Sequence, residues 1–435
     1  MKILYNPLHI ISLSIALCLY ISCHQKSDSQ VWPSWANDMV IYELSPYQYV
    51  DSGGLKGITR DLPRIRNLFF NTILLQPIQL RDLASNPFNP SSQFAIQDYN
   101  EIDPKLGTSK DLKDLISKAQ QLGLKIFLEW NIEETGPHHL WRKLHPLHFR
   151  SSEKIVNNRY NLEYVKFNLQ HENMTDLHRE AFSNFANAFN FDGFMIYGNA
   201  NPINNLIQIL RSGLNDDPLL LSASENIQDG IGDGKNSKLF DLLTTVYDSG
   251  KLSTSLREHI QEASQKHWLN PFIDYETNLN KGTDYTLFPN AYKYYIMFAY
   301  ILPGIPWILN GQEFGLTQAI NAFNNNSLLR KYHFNEDLFR SLNLQKKNNP
   351  ALHQNLGQHN CAIVSHPSDV LAIERTSDSF YCVGIFNFSD TITSFKLTKA
   401  YQNAYDLFNK IPVNYPANSE LKLGPYQAVM FSNVP

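Results

Sequence analysis

Short apolar runs alternate with longer amphipathic stretches between residue 39 and about residue 315 of the chain. Continuous apolar runs of this kind are typical of strands buried on both faces of a parallel sheet, and the amphipathic stretches are typical of helices that cover the sheet. Eight runs fit such strands, at residues 40–44, 72–75, 125–129, 193–197, 219–222, 242–246, 271–274 and 306–309. Eight strand and helix units predict an α/β fold of the (β/α)8 type, a TIM barrel.

Two departures from this rhythm divide the chain further. The polar, irregular stretch 131–166 predicts a short insertion after the third strand, and from residue 352 strand-like segments follow one another with turn residues between them. We therefore predict a barrel over residues 37–351, interrupted by the insertion at 131–166, and a C-terminal antiparallel β-sandwich over residues 352–435.

The N-terminal residues have the layout of an export signal. After Lys2 comes an apolar run that is too short to span a bilayer comfortably, and it ends at Ser22 and Cys23. This pattern predicts a lipoprotein signal peptide at 1–22, a lipid on Cys23 and a polar tether at 23–36. The expected location is the bacterial cell envelope, with membrane contact through the lipid anchor. Plain secretion and an uncleaved anchor are the alternatives.

Composition narrows the possible partners. The net charge is -4 and no basic run follows the chain, so nucleic acid is excluded as an expected partner. Cys361 and Cys382 are not spaced as zinc ligands, and the sequence leaves open whether they form a disulfide. The sequence predicts no metal and no cofactor, and it leaves the oligomeric state open.

Several motifs occur in an order that is specific as a set. They lie at residues 98–99 with 102–104, at 191–194, at 303–306 and at 310–315. With these motifs the chain resembles glycoside hydrolase family 13, the α-amylase and α-glucosidase family. The resemblance implies a barrel with a C-terminal β-sandwich, and a ligand that is an α-glucan or an oligosaccharide.

The resemblance also shows where the chain departs from the family. Retaining cleavage of an α-glucoside needs two carboxyl groups about 5 to 5.5 Å apart, one of which attacks the sugar. The family carries that nucleophile in an Asp-Gly-Phe-Arg-x-Asp pattern, whereas residues 192–197 read Asp-Gly-Phe-Met-Ile-Tyr. Met195 thus replaces the arginine and Tyr197 the nucleophile. Asp192 begins the strand, far from the rim where barrel chemistry occurs, and is expected to be structural.

Two carboxylates remain at positions that the resemblance assigns to catalysis. Glu225 matches the general acid at the end of strand five, and Glu276 matches the transition-state-stabilising aspartate after strand seven. Together they could act as an acid and base pair in an inverting mechanism, if separated by roughly 6.5 to 9.5 Å. Tyr197 could itself act as a nucleophile, as the tyrosine of sialidases does, although a tyrosine that packs the barrel is the ordinary interpretation.

The sugar-binding positions implied by the resemblance are also altered. Phe94 stands for a stacking tyrosine, Tyr275 for a histidine, and Glu133 and Glu134 for an Asn-His pair whose asparagine binds calcium in the family. The expected substrate-binding residues are therefore Phe94, Glu134, Met195 and Tyr275.

Two clusters of polar residues could attract a ligand. Glu129, Glu133, Glu134, Glu225 and Glu276 could draw a cation or an amino sugar to the barrel mouth, and His138, His139, His145 and His148 crowd the insertion. Solvated acids and exposed histidines are the ordinary interpretation of both clusters.

Three hypotheses follow. The chain is a non-hydrolytic family member that binds carbohydrate or serves as a scaffold, a pseudoenzyme. Alternatively, it is a glycosidase with an altered mechanism that uses Glu225 and Glu276. In the third hypothesis it is a protein-interaction module on a non-catalytic barrel, as in the heavy chains of amino-acid transporters.

Overall fold

The computed structural model describes residues 32–82, 95–156, 161–171, 173–198, 206–222, 237–263, 269–271, 278, 281–318, 335–354, 360–365 and 369–435. Up to residue 309 the strands are β1 (Ile41–Leu44), β2 (Thr72–Leu75), β3 (Gln79–Arg81), β4 (Ile96–Ile102), β5 (Lys125–Asn131), β6 (Glu134–Thr135), β7 (Phe149–Val156), β8 (Asn161–Phe167), β9 (Gly193–Tyr197), β10 (Leu219–Ser222), β11 (Leu269–Pro271) and β12 (Ile305–Leu309). The later strands are β13 (Asn360–Ser365), β14 (Val370–Ser377), β15 (Phe380–Asn387), β16 (Thr393–Lys396), β17 (Tyr401–Asp406), β18 (Ile411–Tyr415), β19 (Glu420–Leu423) and β20 (Ala428–Ser432).

The helices lie between the barrel strands and in the insertion. They are α1 (Leu55–Asn67), α2 (Ser109–Gln121), α3 (Leu140–Leu144), α4 (Met174–Ala188), α5 (Leu206–Ser212), α6 (Ser237–Ser249), α7 (Thr254–Ala263), α8 (Asp284–Leu287), α9 (Tyr292–Ile301) and α10 (Asn335–Asn348). Thr108 caps α2 in a reciprocal pair with Asp111, which satisfies backbone donors that would otherwise have no partner at that helix end. Within the described residues, no helix combines the length and the apolar character needed to cross a membrane.

The parallel sheet confirms the predicted (β/α)8 barrel. Its strand order is β10-β9-β5-β2-β1-β12-β11, and every neighbouring pair is parallel. The strands β2, β9 and β10 have the bounds predicted from their apolar runs. The two edge strands of this sheet are β10 and β11. Along the chain they precede and follow residues 242–246, for which the sequence predicted the sixth strand.

That sixth strand is wrong as predicted, because residues 242–246 lie inside helix α6. Leu239, Leu243 and Val246 are buried and recur every three to four residues, while residues 241, 242, 244 and 245 are more exposed. This is the spacing of one helix face. A short apolar run fits a buried strand and a helix stripe equally well, so periodicity over five residues could not separate them. The seventh strand is also displaced, since β11 begins at Leu269 rather than at residue 271.

The barrel interior forms an apolar cluster of its own. Its members come from the inward faces of seven strands and from the segment before β1, namely Ala36, Met39, Ile41, Leu74, Phe127, Met195, Leu219, Leu221, Leu269, Ile305 and Trp307. Ala36 and Met39 precede the first strand and therefore close the N-terminal end of the barrel. The opposite end, where the strands terminate, is the mouth that carries chemistry in barrels of this type.

After β5 the chain leaves the barrel and forms a small antiparallel sheet in the order β6-β8-β7, with α3 between β6 and β7. An aromatic cluster attaches this segment to the barrel. Trp141 of α3 lies 5.5 Å from Tyr99 and 5.3 Å from His178 of α4, measured between ring centroids. The insertion is therefore held against β4 and α4 by packed rings. Its boundaries at 131 and 166, like the other domain boundaries, stay predictions.

The C-terminal strands form the antiparallel sandwich that the sequence predicted. One sheet has the order β13-β14-β15-β20-β17-β18, and β16 pairs with β19 in a second sheet. Both cysteines are free, and both stand opposite Arg375, Cys361 on one neighbouring strand and Cys382 on the other. A full strand separates them, so their Cα atoms are roughly 9 to 10 Å apart, too far for a disulfide.

Candidate active site at the barrel mouth

Strand β9 carries Met195 and Tyr197, the two positions at which the resemblance led us to expect a departure from the family pattern. Met195 and Tyr197 are two residues apart, so both side chains point into the barrel. Met195 is fully buried and stands in register with Glu129 on β5 and Leu221 on β10. It fills the barrel interior just below the mouth. The strand reads Gly-Phe-Met-Ile-Tyr, so none of its five residues supplies a carboxylate.

Tyr197 lies one layer above Met195, at the end of β9. It is half-buried and packs against the apolar interior cluster, and its backbone carbonyl accepts a hydrogen bond of 2.9 Å from the amide of Ile132. Gly198 follows with φ at +123°, and a Cβ there would meet the Cβ of Glu133 at 2.8 Å. Only glycine suits this position, because the end of β9 passes close to the start of the insertion.

Two glutamates lie inside the barrel. Glu43 on β1 accepts hydrogen bonds of 2.9 Å from the side-chain amide of Gln76 and from the indole of Trp307. Glu129 is buried beside Met195. Both carboxyl groups lie below the mouth. The predicted carboxylate cluster is therefore divided between the interior and the rim.

Two further acids of that cluster, Glu133 and Glu134, belong to the insertion. The side-chain oxygen of Asn131 accepts hydrogen bonds from the amides of Glu133 at 2.8 Å and Glu134 at 3.0 Å, which fixes the turn that leaves β5. Glu133 forms an ion pair with Lys166 at 3.3 Å. Glu134 begins β6, is half-buried and stands opposite Lys166 on β8. These acids are thus placed in the small sheet that borders the mouth.

Five of the predicted site residues lie outside the described residues, namely Cys23, Phe94, Glu225, Tyr275 and Glu276. Asp192 lies at the opposite end of the barrel from the mouth, where its carboxylate pairs with the ammonium of Lys125 at 2.7 Å and accepts a hydrogen bond of 3.0 Å from the amide of Ile126. These contacts hold the starts of two neighbouring strands together.

The histidines of the insertion are arranged as packed rings. His139 and His178 are buried in the aromatic cluster, and burial lowers the pKa of each to about 3, so both are neutral at physiological pH. The rings of His145 and His148 stack at 4.8 Å, and His148 lies 4.0 Å from His171. Throughout the described ranges, no group of three or more His, Cys, Asp or Glu side chains is placed to hold a metal ion.

Sequence reasoning missed two buried acidic side chains, Asp284 and Glu313. Asp284 of α8 is buried, and burial raises its pKa to about 6 although Gln312 donates a hydrogen bond of 3.2 Å to it. Glu313 is fully buried and accepts hydrogen bonds from Tyr42 at 2.5 Å and from Arg64 at 2.9 Å. The motif at 310–315 contained Gln312 and Glu313, but their partners come from distant parts of the chain, which no local pattern shows.

Comparisons with known proteins agree with this architecture. A sequence model of the α-amylase catalytic domain matches residues 19–184. α-Amylase 2 of Dictyoglomus thermophilum is 24% identical over 91% of this chain and 76% of its own length. The chain spans 16% and 17% of two further curated relatives.

Solved structures share the fold. An α-amylase from Lactobacillus plantarum superposes with a TM-score of 0.75 at 17% identity, covering 92% of this chain and 100% of that one. The α-amylase of Geobacillus thermoleovorans, solved in complex with acarbose, gives a TM-score of 0.68 at 16% identity, covering 91% of this chain and 98% of that one. The solved structures show the shared fold, and the matches in sequence support a role in carbohydrate metabolism. Together the family-model match, the sequence relatives and the shared fold support membership of the α-amylase family, glycoside hydrolase family 13.

Proposed function

We propose that this chain is a carbohydrate-binding member of the α-amylase family that does not hydrolyse α-glucosides by the retaining mechanism. The observation that carries the proposal is strand β9, which brings a thioether and a phenol to the barrel where covalent catalysis needs a guanidinium and a carboxylate. A retaining enzyme must form a glycosyl ester with a carboxylate. β9 has no side chain that can form that ester.

The packing around Met195 supports the same conclusion. Met195 is a fully buried member of the apolar interior cluster, so its position is filled by a side chain that suits its neighbours. Loss of a buried ion pair is tolerated when both partners give way to packed, less polar groups. The barrel is therefore stable without the catalytic charges, as a protein that only binds its ligand requires.

The ligand class comes from the family relationship. The α-amylase of Geobacillus thermoleovorans was solved with acarbose, an oligosaccharide analogue. We infer that the mouth of this chain takes an α-glucan or a maltooligosaccharide, with the half-buried ring of Tyr197 as one stacking surface. Phe94, Glu134 and Tyr275 are the further binding residues that the resemblance to the family suggests.

We also propose that the protein is exported and held at the bacterial cell envelope by a lipid on Cys23. The support is the basic start, the short apolar run and the Ser22-Cys23 pair. Metabolic labelling with a fatty acid should mark the wild-type protein, and Cys23→Ala should remove the label and release the protein from the membrane fraction. An unlabelled wild-type protein in the medium would instead indicate plain secretion.

The test of function combines turnover and binding. Purified protein should release no sugar from maltoheptaose or from an activated aryl α-glucoside, and calorimetry should show saturable binding of maltoheptaose. Tyr197→Ala should weaken binding about fivefold through loss of roughly 1 kcal/mol of stacking, whereas Tyr197→Phe keeps the ring and should bind as wild type does. Tyr415→Ala, on the distant strand β18, is the matched control.

Each alternative has its own outcome in this test. Turnover that Glu225→Gln or Glu276→Gln abolishes would establish an enzyme with an altered mechanism. A sugar trapped covalently on any carboxyl group would overturn the argument from β9. Neither turnover nor sugar binding, with a partner protein that co-purifies in fixed proportion, would favour an interaction module.

A further inference from the structure

Three leucines in the insertion expose a large part of their side chains to solvent. Leu140, Leu144 and Leu147 have 44%, 65% and 76% of their surface accessible. Among the described residues the other strongly exposed large apolar side chains are scattered, namely Trp35, Tyr285, Ile392 and Ile411. A local concentration of exposed aliphatic side chains marks an interaction surface, whereas scattered ones need no explanation. We call Leu140, Leu144 and Leu147 the leucine patch.

The orientation of helix α3 is fixed by its other face. Trp141 packs into the aromatic cluster with Tyr99 and His178, and the side chain of Arg142 donates a hydrogen bond of 2.8 Å to the carbonyl of Pro137. Leu140 and Leu144 are one turn apart and share the face that points outward. Leu147 follows in a short 3-10 helix, Pro146–His148. The leucine patch therefore lies on the solvent-facing side of a helix whose other side packs into the aromatic cluster.

The charge of this segment is opposite to that of the whole chain. Residues 136–152 contain Arg142, Lys143 and Arg150 and no acidic residue, although the chain carries a net charge of -4. Lys143 and Arg150 are exposed beside the leucines. Exposed leucines flanked by basic side chains are the composition of segments that lie in the interface of an anionic membrane.

We propose that the leucine patch docks onto an anionic phospholipid bilayer. The leucines enter the boundary between headgroups and acyl chains, while Lys143 and Arg150 pair with the phosphates. A second copy of the chain fits less well, because a symmetric contact through this patch would oppose its own basic residues. An α-glucan also fits poorly, because it is neutral and the patch exposes aliphatic rather than flat aromatic side chains.

Hydrogen exchange on the full-length protein tests the proposal directly. The chain would carry Cys23→Ser, so that no acyl group contributes, and would be mixed with vesicles of equal parts phosphatidylglycerol and phosphatidylcholine. Exchange of the amides at residues 140–148 should slow in the presence of these vesicles, and exchange at Ile411–Tyr415 should not change. Vesicles of phosphatidylcholine alone should have little effect. Bound protein with unchanged exchange at 140–148 would overturn the proposal.

Variants measure the contribution of the patch in the same Cys23→Ser background. Leu140→Ser, Leu144→Ser and Leu147→Ser together should lower the vesicle partition coefficient at least about tenfold, and Lys143→Gln and Arg150→Gln should each lower it about fivefold. The matched control is Ile392→Ser with Ile411→Ser, which removes two aliphatic side chains that are 62% and 50% exposed on the C-terminal sandwich.

The remaining outcomes are decisive as well. Equal partitioning of the triple serine variant and the control, with both folded by circular dichroism, would overturn the proposal. Protection of the amides at residues 140–148 that appears without vesicles, and that increases with protein concentration, would instead identify a second copy as the occupant. Binding that weakens as salt is added would support the basic residues as the second part of the surface.

Discussion

Two buried regions of the same barrel differ in the ionisable side chains that they contain. Behind strands β1 and β12, the Glu313 carboxylate is held by Arg64 at 2.9 Å and by Tyr42 at 2.5 Å, and Arg64 also contacts Asp61 at 2.9 Å. Within the barrel, β9 places Met195 and no ionisable partner of its own beside Glu129. The first region keeps both members of an ion pair, and the second has neither the arginine nor the aspartate of the family pattern.

The difference separates what this barrel needs for folding from what it would need for chemistry. The Glu313 network joins the segment after the last barrel strand to helix α1 and to Tyr42 of β1, so it serves the packing of the fold. On β9, the apolar side chain of Met195 occupies the position that the family resemblance assigns to an arginine. A buried ion pair is costly to break, whereas an apolar position tolerates a change that keeps its volume, which predicts that single changes will have effects of different size in the two regions.

The largest expected effect is at Glu313. Glu313→Leu removes the buried carboxylate that accepts hydrogen bonds from Arg64, from Tyr42 and from the amide of Gly311, and it should lower the free energy of unfolding by about 3 to 5 kcal/mol. Urea unfolding of the two proteins measures this difference. The double variant Arg64→Leu with Glu313→Leu should cost less than the sum of the two single variants, because the pair is then removed as a unit. Costs that simply add would contradict this account of the network.

His139 and His178 of the aromatic cluster are a third case, because they are buried and neutral. Burial lowers the pKa of His139 and of His178 to about 3 in the folded protein, against about 6.5 when unfolded. Their contribution to stability is therefore fully present above pH 6.5 and is lost as the pH falls toward 3. At about pH 5 each should lower the free energy of unfolding by about 2 kcal/mol relative to neutral pH.

Denaturant unfolding at a series of pH values measures this loss. His178→Phe keeps a ring in the cluster and removes one titrating group, so its stability should fall less steeply between pH 6.5 and pH 5 than that of the wild type. A slope equal to the wild-type slope would show that His178 does not contribute to the pH dependence.

A positive charge introduced on β9 tests how a buried ion pair would affect stability inside the barrel. Met195→Arg would place a guanidinium in register with Glu129, and the two would form an ion pair across neighbouring strands. The cost of Met195→Arg should therefore be about 2 kcal/mol larger in a Glu129→Leu background than in the wild type. A double-mutant cycle from urea unfolding gives this coupling energy. Equal costs in the two backgrounds would mean that the side chains do not interact.

The same two regions show what sequence alone can predict. Thr72–Leu75 and Gly193–Tyr197 were located to the residue because strands buried on both faces are continuous apolar runs. Met195 and Tyr197 followed from the order of the family motifs. The environment of Glu43 could not be predicted, because its partners Gln76 and Trp307 lie 33 and 264 residues away. Residues 242–246 were misassigned because helix and strand stripes coincide over so short a run.

The smallest expected effect is at Met195 itself. Met195→Leu keeps the volume and the apolar character of a side chain that is already surrounded by Leu221 and the other interior residues, so it should cost less than about 1.5 kcal/mol. Met195→Ala leaves a cavity in the same place and should cost about 2 to 5 kcal/mol. Thermal unfolding of the two variants compares them directly. If leucine were as damaging as alanine, Met195 would be held by more than packing, and the view that this layer of the barrel has exchanged catalytic charge for apolar filling would be wrong.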